Sequence, residues 1–301
     1  MNFGVVLPVE GPKATRESIV ANARLAEELG FHSVWATDRI LIPRAAPSGY
    51  PYSQARGAVA FRADRRWLEP ITTLSFAAAV TDTVMLGTNV LVLPYRQPFV
   101  LAQEVASLDH LSGGRLLLGV GVGWMREEFH ALGIDPSTRG ARTDEWITLM
   151  RELWSDRHAF ALPAGGGRTV APPILIGGNS AAAFRRVARL GDGWVGVDLD
   201  PVETEVATAA IIHEATRRGR RREELLLSMR RRIEAEDMAS SLSSVIDDLV
   251  ADVPAYAGAS VDLIVVDLLM TPNMPDALAQ LADSLIAHGW LAERGAVVAS
   301  E

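Results

Sequence analysis

The chain has 301 residues, of which 49% are hydrophobic and 22% charged, and its formal net charge is −8. This charge argues against a nucleic-acid partner, because binding to a phosphate backbone needs clustered positive charge. Cysteine is absent, which excludes disulfides, thiolate metal sites and a cysteine nucleophile. Redox chemistry in this chain would therefore need a bound cofactor.

The N-terminal segment, residues 1–8, lacks the basic region, apolar stretch and cleavage site of a signal peptide and is interpreted as a first strand. No apolar run is long and uninterrupted enough to span a bilayer. We therefore expect a cytoplasmic protein with no membrane partner. A basic run at 217–222, continued at 230–232, brackets a helix end and a short strand. A solvated helix end explains this run better than a nucleic-acid patch, although its side chains could still meet an anion.

Short runs rich in Val, Ile and Leu alternate with longer segments of helical period, which is typical of parallel strands joined by helices. The predicted strands are 3–7, 33–37, 84–92, 115–122, 174–177, 193–197, 225–230 and 261–268. The predicted helices are 16–29, 69–81, 98–110, 142–154, 181–190, 202–218, 242–256 and 275–288. Eight strand–helix units without a break in composition favour a closed (β/α)₈ TIM barrel, forming one domain over residues 1–301, over a doubly wound open sheet.

Two connections are longer than an ordinary loop: residues 39–67 and residues 124–142, the second with room for a short helix. The first follows the C-terminal end of a strand, so on a barrel it lies on the active-site face. Its aromatic side chains either cap a flat cofactor or fix the loop to the surface. They are Tyr50, Tyr52, Phe61 and Trp67.

A double glycine at the end of the fifth predicted strand gives the sharpest signal for a ligand. Gly177, Gly178, Asn179 and Ser180 run directly into a predicted helix. Free backbone N–H groups at residues 178–180, together with the helix dipole, would form an anion site. The simpler alternative is that Asn179 or Ser180 only caps the helix, and both can hold at once.

Two further strand ends carry unusual residues. Glycines alternate at Gly119, Gly121 and Gly123, where they either make room for a flat ring or serve barrel packing. Thr88 and Asn89 interrupt an otherwise apolar strand, and their side chains need partners from a cofactor edge or a bulge. Asp38 closes the second predicted strand, where an acid is either a cap or a functional group.

The six histidines fall before predicted strands or on helices and loops, and none lies at the C-terminal end of a predicted strand. This placement argues against a metal site and against a Ser-His-Asp triad. A metal-dependent barrel hydrolase is therefore a poor alternative, and we expect no metal.

Four motifs in chain order resemble the luciferase-like monooxygenase superfamily, and the resemblance runs over nearly the whole chain. It is closest to the branch that uses the deazaflavin coenzyme F420, which the stretch 139–145 also resembles. The motifs are Trp35-Ala36-Thr37-Asp38, residues 86–91, residues 111–121, and Gly177-Gly178-Asn179-Ser180 with residues 191–194.

The resemblance implies a coenzyme ring across the mouth of the barrel, with Asp38 near its reactive part. It implies a non-prolyl cis peptide at Asn89-Val90, forming a bulge behind the ring. Residues Gly121, Val122 and Gly123 would contact the ring or the ribityl chain, and residues 177–180 would hold the phosphate. Relatives often form homodimers and depend on a separate enzyme that reduces the coenzyme, so both are expectations here.

The chain departs from the family at two positions. Many F420-dependent relatives have Asp followed by His, whereas this chain has Asp38-Arg39, and Trp124 stands where sugar-phosphate dehydrogenases have a catalytic acid. Arginine is a poor general base, so Arg39 would orient an anionic or carbonyl group. Trp124 would form an apolar substrate wall or simply pack. Asp38, Arg39 and Trp124 are the catalytic candidates, with no assigned acid or base.

The resemblance favours an F420-dependent oxidoreductase that transfers hydride between the coenzyme and a small organic substrate. The alternative with FMN as coenzyme is a two-component monooxygenase that uses reduced FMN and oxygen. An alternative of another class is a non-catalytic flavin-binding barrel, because a fold does not guarantee an activity.

Overall fold

A closed barrel of parallel strands forms the centre of the protein. The computed structural model describes residues 1–44, 51, 65–155, 157–162, 171–233, 242–269 and 271–292. Nine strands lie in this part of the chain: β1 (Asn2–Val6), β2 (Ser33–Ala36), β3 (Met85–Thr88), β4 (Leu91–Val92), β5 (Leu116–Gly121), β6 (Ile174–Gly177), β7 (Gly193–Val197), β8 (Leu226–Arg232) and β9 (Leu263–Asp267).

All strand pairs are parallel, in the order β3-β2-β1-β9-β8-β7-β6-β5, and the pairing of β3 with β5 closes the ring. β4 continues the line of β3 and also pairs with β5, so β3 and β4 together form one barrel strand. The predicted (β/α)₈ barrel is confirmed. The predicted strand 84–92 is divided because the chain bulges at residues 89–90.

Ten helices surround the strands in the described ranges, and the bounds of most agree with the predicted ones. They are α1 (Arg16–Glu28), α2 (Pro70–Ala78), α3 (Pro98–Leu111), α4 (Arg126–Ala131), α5 (Arg139–Trp154), α6 (Ala181–Leu190), α7 (Pro201–Thr216), α8 (Leu242–Ala251), α9 (Val253–Gly258) and α10 (Met274–Ala287). The short helix expected between residues 124 and 142 is α4. The single helix predicted over 242–256 is wrong: it divides before Pro254, which cannot donate the backbone hydrogen bond of a helix interior.

Three apolar clusters make up the core: two of them belong to the barrel, and a third contains Val92, Tyr95 and Phe129. The larger of the two barrel clusters lies between the strands and the helices, and the smaller fills the inside of the barrel around Trp35. The Trp35 indole is fully buried and donates to Ser33 Oγ at 2.8 Å. Glycines on both neighbouring strands make room for it, since a Cβ at Gly87 would lie 2.2 Å from the ring and one at Gly4 2.7 Å from its Nε1. Side chains thus fill the inside of the barrel, and the mouth of the barrel lies beyond Trp35, at the C-terminal ends of the strands.

In the described part of the chain, no helix is both long and apolar enough to cross a membrane. The long connection predicted at 39–67 is described only at residues 39–44, 51 and 65–67. Its aromatic residues Tyr50, Tyr52 and Phe61 lie outside the described residues.

Candidate active site

The C-terminal ends of the strands form the mouth of the barrel, and the alternation of side chains along each strand decides which residues face it. Leu117, Leu175, Val195 and Val265 belong to the cluster inside the barrel. Residues an even number of positions further along the same strands therefore face the mouth. We define the uncharged half of the mouth as Thr37, Asn89, Val90, Gly121 and Gly177, and the charged half as Glu10, Asp198, Arg230, Arg232 and Asp267.

A bulge between β3 and β4 shapes the uncharged half. The peptide bond between Asn89 and Val90 is cis, as the resemblance implies. The Asn89 N–H donates to the Ala36 carbonyl oxygen at 2.8 Å, and the Thr88 hydroxyl donates to the Gly119 carbonyl oxygen at 2.7 Å. Thr88 therefore ties the bulge to β5 with its side chain fully buried, and its hydroxyl is already used by the protein.

The glycines of β5 and β6 fit around this bulge. A Cβ at Gly119 would lie 1.9 Å from the Thr88 carbonyl oxygen, and one at Gly121 would lie 2.6 Å from Val90 Cγ2. A Cβ at Gly177 would lie 2.8 Å from Val90 Cγ1. The glycines were interpreted either as room for a flat ring or as barrel packing, and the structure supports barrel packing directly. The missing side chains make room for Val90 and the bulge, which form the surface that faces the mouth.

Two buried polar atoms at neighbouring strand ends lack a hydrogen-bond partner among the described residues. They are Thr37 Oγ1, after β2, and Asn89 Nδ2, after β3. Thr37 is 6% exposed and Asn89 3% exposed. Burying a polar atom without a partner costs free energy, so a ligand that offers a hydrogen-bonding edge here would relieve that cost. These two side chains fit the edge of a flat, polar ring system.

The loop between β6 and α6 differs in one respect from the predicted anion site. The Gly178 N–H was expected to be free, but it donates to the Val195 carbonyl oxygen at 3.2 Å, and the expectation is wrong for this residue. The Gly178 carbonyl oxygen accepts from the Trp194 indole at 2.8 Å. A φ of 119° explains why glycine stands at this position.

The rest of this loop keeps the features of an anion site. The backbone N–H groups of Asn179 and Ser180 have no partner among the described residues, and the dipole of α6 adds positive potential. The Ser180 hydroxyl caps α6 by accepting from the Ala183 N–H at 3.2 Å. The Asn179 amide fixes the loop to β7, donating to the Val197 carbonyl oxygen at 2.7 Å and accepting from its N–H at 3.1 Å. Capping and anion binding are thus compatible.

The Asp38 carboxylate is held by Arg96 and by the backbone of β4. Its Oδ2 accepts from the Val92 N–H at 2.8 Å and from Arg96 Nη1 at 2.6 Å, and its Oδ1 accepts from Arg96 Nη2 at 2.9 Å. The side chain is fully buried. A carboxylate held in a bidentate ion pair is poorly suited to accept a proton from a substrate. The geometry therefore favours a positioning role for Asp38 at the start of the bulge.

Arg39 and Trp124 come together above the mouth. Arg39 donates to Glu128 Oε2 at 2.7 Å, and its guanidinium lies 5.2 Å from the centre of the Trp124 ring and 5.8 Å from that of Trp67. The other Glu128 oxygen accepts from the N–H groups of residues 40 and 41. Burial, together with the charge of Glu128, raises the pKa of Tyr95 and keeps its hydroxyl protonated. The ion pair with Glu128 thus holds the Arg39 guanidinium in place over the rings of Trp67 and Trp124.

Val122 and Gly123 lead from β5 to Trp124. Val122 is half-buried, and Gly123 adopts a φ of 77°. A Cβ at Gly123 would lie 2.7 Å from Val92 Cγ1. The turn at Gly123 therefore follows from crowding against β4 and directs Trp124 toward Arg39.

The charged half contains residues that the sequence analysis missed. Arg230 is 8% exposed, and its Nη2 forms an ion pair with Asp267 Oδ2. Arg232 Nε lies 3.4 Å from the same oxygen. The backbone N–H of Arg232 donates to Asp198 Oδ1 at 2.8 Å. The interpretation of 230–232 as a solvated helix end is wrong, because these residues end β8. Alternation along β8 is the signal that would have placed Arg230 and Arg232 inside the barrel.

Two acids of this half, Asp267 and Glu10, have opposite pKa shifts. Burial acts to raise the pKa of Asp267, but the charges of Arg230 and Arg232 outweigh it and hold the pKa below its usual value. Burial and then the charge of Asp267 raise the pKa of Glu10, against the opposing charges of Arg230, Arg65 and Arg232. Asp267 is thus a fixed anion, whereas Glu10 holds its proton to a higher pH. Within the described residues, no group of three His, Asp or Glu side chains is placed to hold a metal ion.

Two mycobacterial proteins are similar to this chain in sequence. An uncharacterized protein of Mycobacterium tuberculosis is 33% identical over 217 residues, covering 66% of this chain and 75% of the relative. An F420-dependent hydroxymycolic acid dehydrogenase of the same species is 31% identical over 204 residues, covering 64% of this chain and 51% of the relative.

Among solved structures, an F420-dependent secondary alcohol dehydrogenase in complex with an F420-acetone adduct superposes with a TM-score of 0.75. It is 15% identical and covers 95% of this chain and 98% of its own, so the likeness shows the fold. The sequence profile of the family described as luciferase-like monooxygenase matches residues 1–284. The chain therefore belongs to the luciferase-like monooxygenase family.

Proposed function

We propose that the protein is an F420-dependent oxidoreductase that transfers hydride between the coenzyme and a small organic substrate. The observation that carries the proposal is the pair of buried polar atoms without partners among the described residues, Thr37 Oγ1 and Asn89 Nδ2, beside a bulge that places Val90 against the glycines of β5 and β6. Membership of the family and the likeness to a relative named as F420-dependent support the choice of coenzyme.

The residues of the uncharged half and of the loop after β6 would hold the coenzyme. Asn89 Nδ2 would donate to an acceptor on the ring, Thr37 Oγ1 would contact the ring edge, and Val90 would support its face. The free N–H groups of Asn179 and Ser180 would hold the phosphate. When bound, F420 supplies the hydride, and the barrel positions the substrate and excludes water.

Three further expectations belong to this proposal. Arg39 would orient a carbonyl or anionic group of the substrate, because its charge is fixed and its face rests on Trp124. A separate enzyme would regenerate the reduced coenzyme. The functional unit would be a homodimer in the cytoplasm.

A titration of the purified protein with F420 and, separately, with FMN tests the proposal, with tryptophan fluorescence or calorimetry as the readout. The informative variant is Ala182→Glu, in the exposed first turn of α6. An acid there favours the helix but repels a phosphate, so we expect F420 affinity to fall by about tenfold or more. Ala182→Gln, of the same size without the charge, is the matched control and should bind like the parent protein.

Each outcome has a distinct meaning. Tight F420 binding that Ala182→Glu alone weakens supports the F420 assignment and the phosphate site. A preference for FMN points instead to a two-component monooxygenase. Binding of neither coenzyme contradicts the proposal.

A further inference from the structure

The charged half of the mouth lies across the barrel from the bulge. β8, which carries Arg230, is four strands away from β3 in either direction around the ring. A ligand in the mouth therefore has the uncharged half on one side and the charged half on the other. A substrate that lies beside a ring at Asn89 and Val90, within the mouth, would face the strand ends of β8 and β9.

Arg230 has a buried donor directed at this space. The residue is 8% exposed, one terminal nitrogen is paired with Asp267, and Nε has no hydrogen-bond partner among the described residues. Its position on β8 places it on the inner face of the barrel, in register with Val265 and Val197. A buried guanidinium that keeps a spare N–H is a donor for an oxygen ligand, and an anionic oxygen is its strongest acceptor.

Glu10 stands beside Arg230 and is held by the backbone on both sides. It forms an isolated antiparallel bridge with Trp67, supported by bonds from the Gly11 N–H to the Arg66 carbonyl oxygen and from the Leu68 N–H to the Val9 carbonyl oxygen, both 2.8 Å. Its side chain makes no hydrogen bond with a described residue. A carboxyl group that keeps its proton in this position is an O–H donor, not a second negative charge.

The charges of the described residues around Glu10 favour a ligand with a single negative charge. Asp267 from β9 and Asp198 from the end of β7 are negative, and Arg230 and Arg232 from β8 balance them. Arg65, from the segment before α2, adds one positive charge near Glu10. With Glu10 neutral, this set carries one excess positive charge, which a monoanion neutralises and a dianion overcompensates.

We propose that Arg230 and Glu10 together bind the carboxylate of an organic-acid substrate in the mouth of the barrel. The Arg230 Nε–H donates to one carboxylate oxygen and the Glu10 O–H donates to the other. Asp267 positions Arg230. This inference rests on the proposed function, because it names the substrate class of the same site, and it places the reacting carbon between the two halves.

The experiment measures binding of acetate, butyrate and benzoate by calorimetry, to the protein with and without F420, between about pH 5.5 and 8, where these ligands stay ionised. The three matching amides are the uncharged controls. We expect saturable binding of at least one carboxylate and none of the amides. Because Glu10 has to carry a proton, carboxylate affinity should rise as the pH falls, by at most about tenfold per pH unit.

Two variants separate the residues. Glu10→Gln donates an N–H at every pH, so it should keep carboxylate affinity and lose the pH dependence. The double variant Arg230→Met with Asp267→Asn removes the Arg230 donor together with the acid that pairs with it, while Arg232 keeps Asp198 as its partner. It should lose at least tenfold in carboxylate affinity and keep the parent's affinity for F420.

Absence of binding by all three carboxylates overturns the inference. So does equal binding of the amides, or a pH dependence that Glu10→Gln leaves unchanged. Carboxylate binding to a protein that takes up neither F420 nor FMN would contradict the proposed coenzyme function and leave the carboxylate site standing.

Discussion

The two halves of the barrel mouth are built by opposite means. The uncharged half is shaped by the removal of side chains, because Gly121 and Gly177 admit Val90 and leave no charge on the surface. The charged half is shaped by long side chains, because Arg230 and Arg232 reach across to Asp267. Both halves lie on the same rim, so the fold alone does not determine which chemistry a strand end presents.

The two halves of the mouth are stabilised by different interactions. In the charged half it depends on the mutual neutralisation of buried charges, which is lost when one partner is removed. In the uncharged half it depends on close packing of backbone, which is lost when an atom is added. The two halves should therefore respond differently to substitution.

Removal of the central acid of the charged half should have the largest effect. Asp267→Ala leaves Arg230 and Arg232 without their buried partner and should lower the free energy of unfolding by about 3–5 kcal/mol. Urea unfolding followed by circular dichroism measures the change. Glu214→Ala, which breaks an ion pair on the surface of α7, is the control and should change stability little. Equal losses in the two variants would contradict the assigned difference.

Addition of one methyl group to the uncharged half should have the next largest effect. Gly119→Ala places a Cβ against the Thr88 carbonyl oxygen, which cannot move without disturbing the bulge. We expect a loss of about 1–3 kcal/mol in the free energy of unfolding. The control is Gly258→Ala, where a Cβ would meet nothing within 4 Å and where alanine favours the helix. If both variants are as stable as the parent, the packing argument fails.

The pH dependence of stability should show the smallest effect and isolates Glu10. Its pKa is raised in the folded protein, so the stabilisation from its proton is complete below the ordinary value of 4.5 and is lost as the pH rises through the folded pKa. Glu10→Gln removes this contribution. Urea unfolding in steps from about pH 5 to 8 should therefore give the parent a steeper fall in stability than the variant. Parallel curves would show that Glu10 titrates normally.

The overall architecture could be predicted because it depends on local patterns. Alternation of apolar runs and helical segments gave eight units, and the polar residues Thr88 and Asn89 marked the place where β3 is interrupted. Trp35 with its flanking glycines Gly4 and Gly87 could not be predicted, since the contacts join three strands that are distant in sequence. The same holds for the ion pair of Asp38 with Arg96, which crosses 58 residues.

The charged half was missed for a different reason. Residues 230–232 were judged by their net charge, whereas strand alternation decides that Arg230 and Arg232 face inward and Arg231 does not. Glu10 follows the predicted first strand by three positions, so no strand pattern included it. Its place in the mouth depends on the backbone bridge to Trp67, a pairing between segments more than fifty residues apart.

The tight fit of Gly119, Gly121 and Gly177 around the bulge has a consequence for how such an enzyme can diversify. A side chain at these three positions collides with Val90 or with backbone, so substitutions there lower stability whatever they do to activity. Glu10, whose side chain makes no hydrogen bond with a described residue, occupies a position where exchange of the side chain leaves the backbone and the buried ion pairs in place. During evolution, new substrate preferences should therefore arise mainly from substitutions at the strand ends opposite the bulge. The residues around the bulge should change little over the same period.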